Sequence, residues 1–198
     1  KWNIIFAALL TTVLFSALFM SVYGGPSRHL QDRKELLSYK NATASKVLSA
    51  EGRLIGKFYL ENRTNVSYSQ IPQSLIDALI ATEDARFFEH KGVDTRSLLR
   101  VLFKTILTGN KRSGGGSTIT QQLAKNMYGR QKKGVLAILR NKIREIILAY
   151  RIERTYTKEE ILTLYLNTVP FGEDIYGIEA AALRYFNKRV EQLKTEES

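Results

Sequence analysis

The sequence predicts a mostly α-helical protein in which one membrane-spanning helix precedes a globular domain. Three observations support this prediction: a long uncharged apolar segment at the start, several later segments with apolar residues at helical spacing, and few stretches with the alternation of a β-strand. The chain has 198 residues, which is enough for one domain with a hydrophobic core and an additional anchor.

The first element is the apolar segment from Trp2 to Tyr23, which contains no charged residue. About 20 apolar residues match the hydrocarbon core of a bilayer, and aromatic residues at both ends suit its interfaces. A cleaved signal peptide would have a shorter apolar region followed by a small-residue cleavage site, so we expect residues 1–23 to be an uncleaved anchor. Basic residues lie on both sides of this segment, so its charge pattern does not fix its orientation.

The anchor is followed by a polar, poorly periodic stretch that opens with Gly24-Gly25-Pro26, which cannot continue a helix. We therefore expect residues 24–45 to be a juxtamembrane linker. The globular domain is predicted over residues 46–198. It begins with two short apolar runs around Glu51-Gly52, which predict a β-hairpin.

The first predicted helix of the domain begins at Pro72 and carries an apolar stripe that ends on a carboxylate. Its members are Leu75, Ile76, Leu79, Ile80 and Glu83. A carboxylate at the edge of an apolar face is partly desolvated, which would make Glu83 a better general base near neutral pH. The alternative from the pattern alone is a surface glutamate paired with Arg86.

Segment Ser97–Leu107 is the second predicted helix, strongly apolar with isolated Arg100 and Lys104. Composition alone favours a buried core helix. An apolar helix whose isolated basic side chains can reach back to the interface also suits a membrane surface. The apolar anchor at the start of the chain favours the membrane interpretation.

The third helix is predicted after a glycine-rich loop, residues 114–116. Thr118 and Gln121 have the spacing of a capping box, so a helix should start there. Such a helix N-terminus suits an anion, because its free N–H groups and its dipole both favour negative charge. Lys125 follows about two turns later. The alternative is a solvated loop before an ordinary helix, whereas a nucleotide-binding P-loop is excluded because no Gly-Lys-Ser/Thr follows the glycines.

Three further helices are predicted. Residues Val135–Arg154 form the longest, Thr157–Asn167 opens with a capping box between Thr157 and Glu160, and Gly177–Phe186 is the last. One face of the longest helix is predicted to be buried, namely Leu136, Leu139, Ile143, Ile146, Ile147 and Tyr150.

Five short motifs occur in a fixed order along the chain. Residues 83–94 contain EDxxFxxHxGxD, which comprises Glu83, Asp84, Phe87, His90, Gly92 and Asp94. Residues 114–126 read GGGSTITQQLAKN, and Lys142 and Glu145 form an incomplete RKxxE in which Asn141 replaces the arginine and Arg140 comes one residue early. Residues 156–172 and 176–186 are the last two motifs. Together these motifs resemble those of the peptidoglycan glycosyltransferases, glycosyltransferase family 51, over roughly residues 45–190.

The resemblance implies a lysozyme-like fold and a defined reaction. Members of this family polymerise lipid II into β-1,4-linked glycan strands by inverting glycosyl transfer, with release of undecaprenyl pyrophosphate. The resemblance therefore places the catalytic domain outside the bacterial cytoplasmic membrane, anchored by a single pass. It also implies lipid II and the growing glycan strand as partners, together with cell-wall synthesis proteins. The family includes both monofunctional enzymes and class A penicillin-binding proteins with a transpeptidase domain, so the resemblance leaves open whether such a domain follows residue 198. No Ser-x-x-Lys or Lys-Thr-Gly signature of such a domain lies within the 198 residues.

Residue roles follow from the same resemblance. Glu83 would be the general base, and Glu145 would order basic residues, or a divalent cation such as Mg²⁺ or Mn²⁺, at the pyrophosphate. Residues implied at the substrate are Ser117, Gln121, Gln122, Lys125, Asn126, Arg130 and Lys142. Residues implied to shape the site are Asp84, Phe87, His90, Gly92 and Asp94. The pattern alone would give Lys142 and Glu145 only an i,i+3 ion pair.

Charge and composition narrow the choice of partner. The net charge is +11, from 30 Lys and Arg against 19 Asp and Glu, which suits anionic lipid, a phosphorylated substrate or nucleic acid. An anchored protein without a nucleic-acid module is not expected to bind nucleic acid. The main alternative function is a lysozyme-like or lytic transglycosylase that cleaves peptidoglycan, and a non-enzymatic precursor-binding scaffold is a third. Basic residues beside the second carboxylate favour synthesis, because a pyrophosphate leaving group needs them.

Overall fold

The computed structural model describes residues 45–52, 54–58, 64–108, 115–130, 134–172 and 175–198, together with residues 12, 13, 16, 17, 20 and 36. The predicted anchor, residues 1–23, and the predicted linker, residues 24–45, therefore lie almost wholly outside the described residues. Within the part of the chain that is described, no helix is both long enough and apolar enough to span a bilayer.

From residue 45 onward, the described residues form six α-helices, two short β-hairpins and three 3-10 turns, which confirms the mostly α prediction. The first hairpin comprises β1 (Ser45–Leu48) and β2 (Leu54–Phe58), and the second comprises β3 (Pro170–Gly172) and β4 (Ile175–Tyr176). The helices are α1 (Gln73–Glu83), α2 (Thr95–Thr108), α3 (Ile119–Tyr128), α4 (Val135–Thr155), α5 (Lys158–Thr168) and α6 (Ile178–Phe186).

The predicted hairpin around Glu51-Gly52 is confirmed. Strands β1 and β2 pair antiparallel with a bulge between Val47 and Leu48. The Gly52 amide closes the turn by donating to the Ser49 carbonyl over 2.9 Å. The second hairpin was not predicted, because its two strands contain only three and two residues and are too short to show an alternating pattern.

Helix α3 lies at the centre of the fold, where it packs against both α4 and α5. Its apolar residues Ile119 and Leu123 are completely buried, and so are Ile161 and Leu162 of α5. Leu36, which lies in the segment predicted to be a linker, is also buried in this core and its carbonyl accepts a hydrogen bond from the Tyr156 hydroxyl. At least this residue therefore belongs to the folded domain.

The helix ends follow their capping residues. Thr157 and Glu160 form the predicted capping box, with the Glu160 amide donating to Thr157 Oγ1 over 3.3 Å and the Thr157 amide donating to Glu160 Oε2 over 2.7 Å. Helix α1 begins one residue later than predicted, because Pro72 is extended at ψ 141° and stands before the first helical residue.

The predicted buried face of α4 is partly wrong. Leu136, Leu139 and Tyr150 are exposed. Ile143 is buried as predicted, and Ile146 and Ile147 are half-buried. The other buried residues described in this helix are Asn141, Glu145, Leu148, Ala149 and Ile152. Two of these residues, Asn141 and Glu145, are polar. A prediction based on apolar residues alone therefore placed part of the buried face on the wrong side of the helix.

Helix α2 is confirmed as a helix but is not simply buried core. Leu99 is 54% exposed and Phe103 is 61% exposed. Its other side faces the glycine-rich loop, since a Cβ built on Gly116 would lie 3.4 Å from Val101 Cγ2 and 3.8 Å from Leu98 Cδ2. The interpretation of this segment as buried core therefore fails at Leu99 and Phe103.

Gly92 allows the loop between α1 and α2 to approach α4 closely. Its φ is +92°, and a Cβ at this position would lie 2.8 Å from the carbonyl oxygen of Ala149. Gly115 has a similar φ of +97° but nothing within 4 Å of the corresponding point.

We predict that Gly92→Ala lowers the free energy of unfolding by about 3 kcal/mol or more, because it combines a left-handed backbone with a clash against helix backbone. Gly115→Ala is the matched control, since it brings the backbone strain without the clash and should cost about 1 kcal/mol. Chemical denaturation of both variants measures the difference. Equal losses in the two variants would contradict the close approach at Gly92.

Candidate active site

The site is organised around Asp84, a buried carboxylate that directly follows α1. Its Oδ2 accepts a hydrogen bond of 3.0 Å from the amide of Ile119, the first residue of α3. His90 Nε2 lies 3.0 Å from both carboxylate oxygens. The Gly92 amide donates a hydrogen bond to His90 Nδ1, so Nδ1 is unprotonated. The ring proton is therefore on Nε2, which donates a hydrogen bond to Asp84. Asp84 thereby joins the end of α1 to the start of α3.

Phe87 and Lys158 stabilise the loop between α1 and α2, which contains His90. The Phe87 side chain is completely buried. Lys158 Nζ lies 4.3 Å from the centroid of its ring, which is a cation–π contact. The same ammonium donates to the carbonyl of His90 over 2.7 Å and to Glu153 Oε1 over 2.9 Å. These contacts hold Phe87 and His90 in the loop between α1 and α2.

Asp94 holds Arg86 and starts helix α2. Arg86 Nη2 donates to Asp94 Oδ2 over 2.6 Å, and the Ser97 amide donates to Asp94 Oδ1 over 3.1 Å in the manner of an N-cap. Burial alone would raise the pKa of Asp94, but the hydrogen bonds from Arg86 and Ser97 outweigh it and hold the pKa well below its usual range. The alternative in which Arg86 pairs with Glu83 is therefore wrong, because Arg86 is bound to Asp94.

Glu83 is the last residue of α1 and its side chain is exposed, so the expectation that it is partly desolvated is wrong. The reason is its position at the helix end, where it faces a cleft of about 650 Å³. Its Oε2 accepts a hydrogen bond of 2.7 Å from Gln122 Nε2. Gln122 Oε1 in turn accepts a hydrogen bond of 3.1 Å from the Tyr165 hydroxyl. The cleft is bordered by three segments: the end of α1 with the loop after it, the first turns of α2, and the residues just before α3. They include Arg86, Arg100, Gly116 and Ser117.

A second cluster of charged groups lies on the other side of α3. Lys142 Nζ donates to Ser117 Oγ over 2.7 Å and to Gln121 Oε1 over 2.9 Å, and it lies 3.5 Å from Glu145 Oε2. Arg130 Nε donates to Glu145 Oε1 over 2.7 Å. Glu145 is only 5% exposed. This buried carboxylate lies between two cations, Arg130 and Lys142. The predicted i,i+3 pair of Lys142 and Glu145 is present within this larger cluster.

Electrostatics in this cluster favour an added anion. Burial lowers the pKa of Lys142, the Glu145 carboxylate opposes this effect, and the neighbouring charges of Arg130 and Lys125 lower the pKa further. Arg130 and Lys142 share one carboxylate here and Lys125 adds a third positive charge nearby, so a phosphate group would relieve their mutual repulsion. The side-chain Nε2 of Gln121 is also buried without a hydrogen-bond partner among the described residues.

The start of α3 differs in one respect from the predicted capping box. Thr118 Oγ1 accepts from the Gln121 amide over 3.2 Å, as predicted, and donates to the Gly92 carbonyl over 2.7 Å. The Gln121 side chain does not return to the Thr118 amide, because its oxygen accepts from Lys142 instead. Gln121 therefore links the first turn of α3 to the cationic cluster through its hydrogen bond with Lys142.

The resemblance implied Asn126 at the substrate, but among the described residues it belongs neither to the group at Glu83 nor to the cluster around Glu145. Asn126 is half-buried on α3 and has no hydrogen bond to the other site residues in the part of the chain that the structure describes. At the departure from the RKxxE pattern, Asn141 is buried, whereas Arg140 is exposed on the next face of α4. The structure does not explain the replacement of arginine by asparagine.

The donor set at Glu145 does not fit a divalent cation. Both carboxylate oxygens face cationic side chains, Arg130 at 2.7 Å and Lys142 at 3.5 Å. A divalent cation at this carboxylate would have to displace one of these cationic side chains, and the described residues contain no group of three or more His, Asp or Glu side chains that could hold a metal ion without help from a substrate phosphate. Glu145 is therefore suited to holding cationic side chains rather than a metal ion.

One residue of the site was not singled out from the sequence. Tyr165 of α5 is 4% exposed and reaches Gln122 from within the fourth motif. The motif includes Tyr165, but only the tertiary packing of α5 against α3 brings this residue next to a catalytic candidate.

Comparison with known proteins identifies the family of this chain. The family model described as Transglycosylase matches residues 51–198. Penicillin-binding protein 1F of Bacillus subtilis is 43% identical over 84% of this chain and 22% of its own length. Penicillin-binding protein 1A of Rickettsia felis is 42% identical over 87% and 22%. Penicillin-binding protein 1A of Haemophilus influenzae is 37% identical over 96% and 21%.

The match over most of the chain defines a transglycosylase domain. The chain belongs to the transglycosylase family, the peptidoglycan glycosyltransferases whose motifs it resembles. It spans about a fifth of the length of the relatives it matches.

We predict that Asp84→Ala lowers the free energy of unfolding by about 3 kcal/mol, because it leaves the buried Ile119 amide and the His90 ring without their acceptor. Asp77→Ala is the matched control. Asp77 is an exposed residue of α1 that accepts, among the described residues, only from Gln73, so its loss should cost no more than about 0.5 kcal/mol. Thermal unfolding of both variants gives the comparison, and an Asp84→Ala variant as stable as the control would contradict the junction role.

Proposed function

We propose that this domain polymerises lipid II into β-1,4-linked glycan strands with release of undecaprenyl pyrophosphate. The observation that carries the proposal is the pair of groups on opposite sides of the first turn of α3. On one side an exposed carboxylate, Glu83, faces an open cleft, and on the other side Lys142 and Arg130 surround a buried carboxylate. The first group suits proton removal from an acceptor, and the second suits a departing pyrophosphate.

In the proposed reaction, Glu83 accepts the proton of the 4-hydroxyl of the acceptor GlcNAc. The oxygen forms a bond to the anomeric carbon of the growing strand while the bond from that carbon to the pyrophosphate oxygen breaks. The electron pair of the broken bond leaves with the undecaprenyl pyrophosphate. Because the acceptor attacks from the face opposite the leaving group, an α-linked donor gives a β-linked product in one displacement.

In this proposal, the residues around Glu145 stabilise the negative charge that develops on the pyrophosphate leaving group. The ammonium of Lys142 and the guanidinium of Arg130 are preoriented by Ser117, Gln121 and Glu145, so they need little rearrangement when negative charge develops. Lys125 lies close enough to lower the pKa of Lys142 and adds positive charge at the rim. The N-terminus of α3 contributes its dipole to the same place.

A membrane setting is part of the proposal, as the substrate carries a long lipid. Leu99 and Phe103 are exposed on α2, whose opposite side packs on the glycine-rich loop beside Ser117. We propose that this face contacts the bacterial cytoplasmic membrane, with the catalytic domain outside the membrane and residues 1–23 as its single anchor. Since the relatives are named penicillin-binding proteins, a transpeptidase domain and other cell-wall synthesis proteins are the proposed partners.

We expect Glu83→Gln to reduce polymerisation of lipid II by about 10²–10⁴-fold, because the amide keeps the shape of the side chain but cannot accept the proton. Binding of lipid II should persist. The control is Glu159→Gln, which removes an exposed carboxylate of α5 and should leave the rate unchanged. The rate is measured by gel separation of labelled glycan strands, and near-normal turnover by Glu83→Gln would refute its assignment as the base.

The membrane contact is tested with the double variant Leu99→Ser and Phe103→Ser in the complete chain. Losing two apolar side chains from the lipid contact should lower the rate with long-chain lipid II by about tenfold or more. The rate with a short-chain, water-soluble analogue should not change. The control pair, Leu183→Ser and Phe186→Ser, alters exposed apolar residues of α6 and should not distinguish the two substrates. Equal effects on both substrates would show that α2 does not serve lipid.

A further inference from the structure

Three side chains from three helices form a continuous hydrogen-bonded line that ends at Glu83. The Tyr165 hydroxyl of α5 lies 3.1 Å from Gln122 Oε1 of α3. Gln122 Nε2 lies 2.7 Å from Glu83 Oε2 at the end of α1. The line therefore runs from a residue that is 4% exposed to a carboxylate that faces the cleft.

The direction of every hydrogen bond in this line is fixed by chemistry. An amide oxygen only accepts and an amide nitrogen only donates, so the Tyr165 hydroxyl must donate to Gln122. Burial, followed by the negative charge of Glu83, raises the pKa of Tyr165 to about 12, so the hydroxyl keeps its proton at neutral pH. With its oxygen held by Tyr165, the Gln122 amide must present its NH₂ group to Glu83.

This arrangement affects the position of the Glu83 carboxylate. An exposed glutamate at a helix end can rotate freely, and ordering it costs conformational entropy. Gln122 holds one oxygen, Oε2, in place. The other oxygen, Oε1, accepts no hydrogen bond from the part of the chain that the structure describes, so it can accept a proton from a substrate hydroxyl.

We infer that Tyr165 is a positioning residue for Glu83, acting through the amide of Gln122. The inference rests on the proposed function, in which Glu83 is the general base. Tyr165 itself need not touch the substrate. It sets the orientation of the amide, and the amide sets which carboxylate oxygen faces the acceptor.

The test is Tyr165→Phe, which removes the hydroxyl and keeps the buried ring. We expect kcat for lipid II polymerisation to fall about 3- to 10-fold, the rate equivalent of one hydrogen bond, while KM changes by less than about twofold. In a Gln122→Ala background the same substitution should change kcat by less than about twofold, because the residue through which Tyr165 acts is absent. A merely structural role of Tyr165 would give the same loss in both backgrounds.

A matched control is Tyr156→Phe, which also removes a tyrosine hydroxyl that donates a hydrogen bond, here to the Leu36 carbonyl rather than to Gln122. Its kcat should equal that of the parent. A second variant, Gln122→Asn, keeps the amide but shortens its reach by one methylene. It should lower kcat at least as much as Tyr165→Phe, with no further loss when the two are combined.

The outcomes separate this inference from the proposed function. If the parent polymerises lipid II and Glu83→Gln does not, but Tyr165→Phe is as fast as the parent, the positioning role is wrong and the general base stands. The positioning role is equally wrong if Tyr165→Phe loses the same activity with and without Gln122. If the parent itself does not polymerise lipid II, the proposed function fails first.

Discussion

The carboxylate of Asp84 is the interaction on which the rest of the site depends. It accepts hydrogen bonds from the first amide of α3 and from His90, so it fixes where α1 ends relative to where α3 begins. Glu83 precedes Asp84 directly, and Gln122 lies within the first turn of α3. One buried anion at a helix N-terminus therefore places the exposed carboxylate within hydrogen-bond distance of the glutamine that orders it.

Two adjacent glutamines divide the site into its two chemical parts. Successive side chains of a helix point about 100° apart, so Gln121 and Gln122 face different sides of α3. Gln122 reaches Glu83, and Gln121 reaches Lys142. The two carboxylates thereby acquire opposite environments: Glu83 is exposed and held by a neutral amide, whereas Glu145 is buried and held by two cations. Different environments allow one carboxylate to accept a proton and the other to organise positive charge.

Much of this arrangement could be predicted from the sequence, because local signals determined it. The capping residues Thr118 and Thr157 start the predicted helices, and the motifs contain most of the residues that meet at α3. The buried face of α4 and the exposure of Glu83 were predicted incorrectly, since both depend on which polar residues the tertiary fold turns inward. Tyr165 was missed for the same reason: its role arises only when α5 packs on α3.

The central claim of our proposal is that the site makes glycosidic bonds at a pyrophosphate leaving group rather than cleaving them. The most direct measurement incubates the detergent-solubilised protein with lipid II and, in parallel, with finished uncrosslinked glycan strands. We expect lipid II to be converted to polymer with stoichiometric release of undecaprenyl pyrophosphate, while the finished strands keep their length. Shortened strands, with no polymer formed from lipid II, would contradict this mechanism and favour a lytic enzyme.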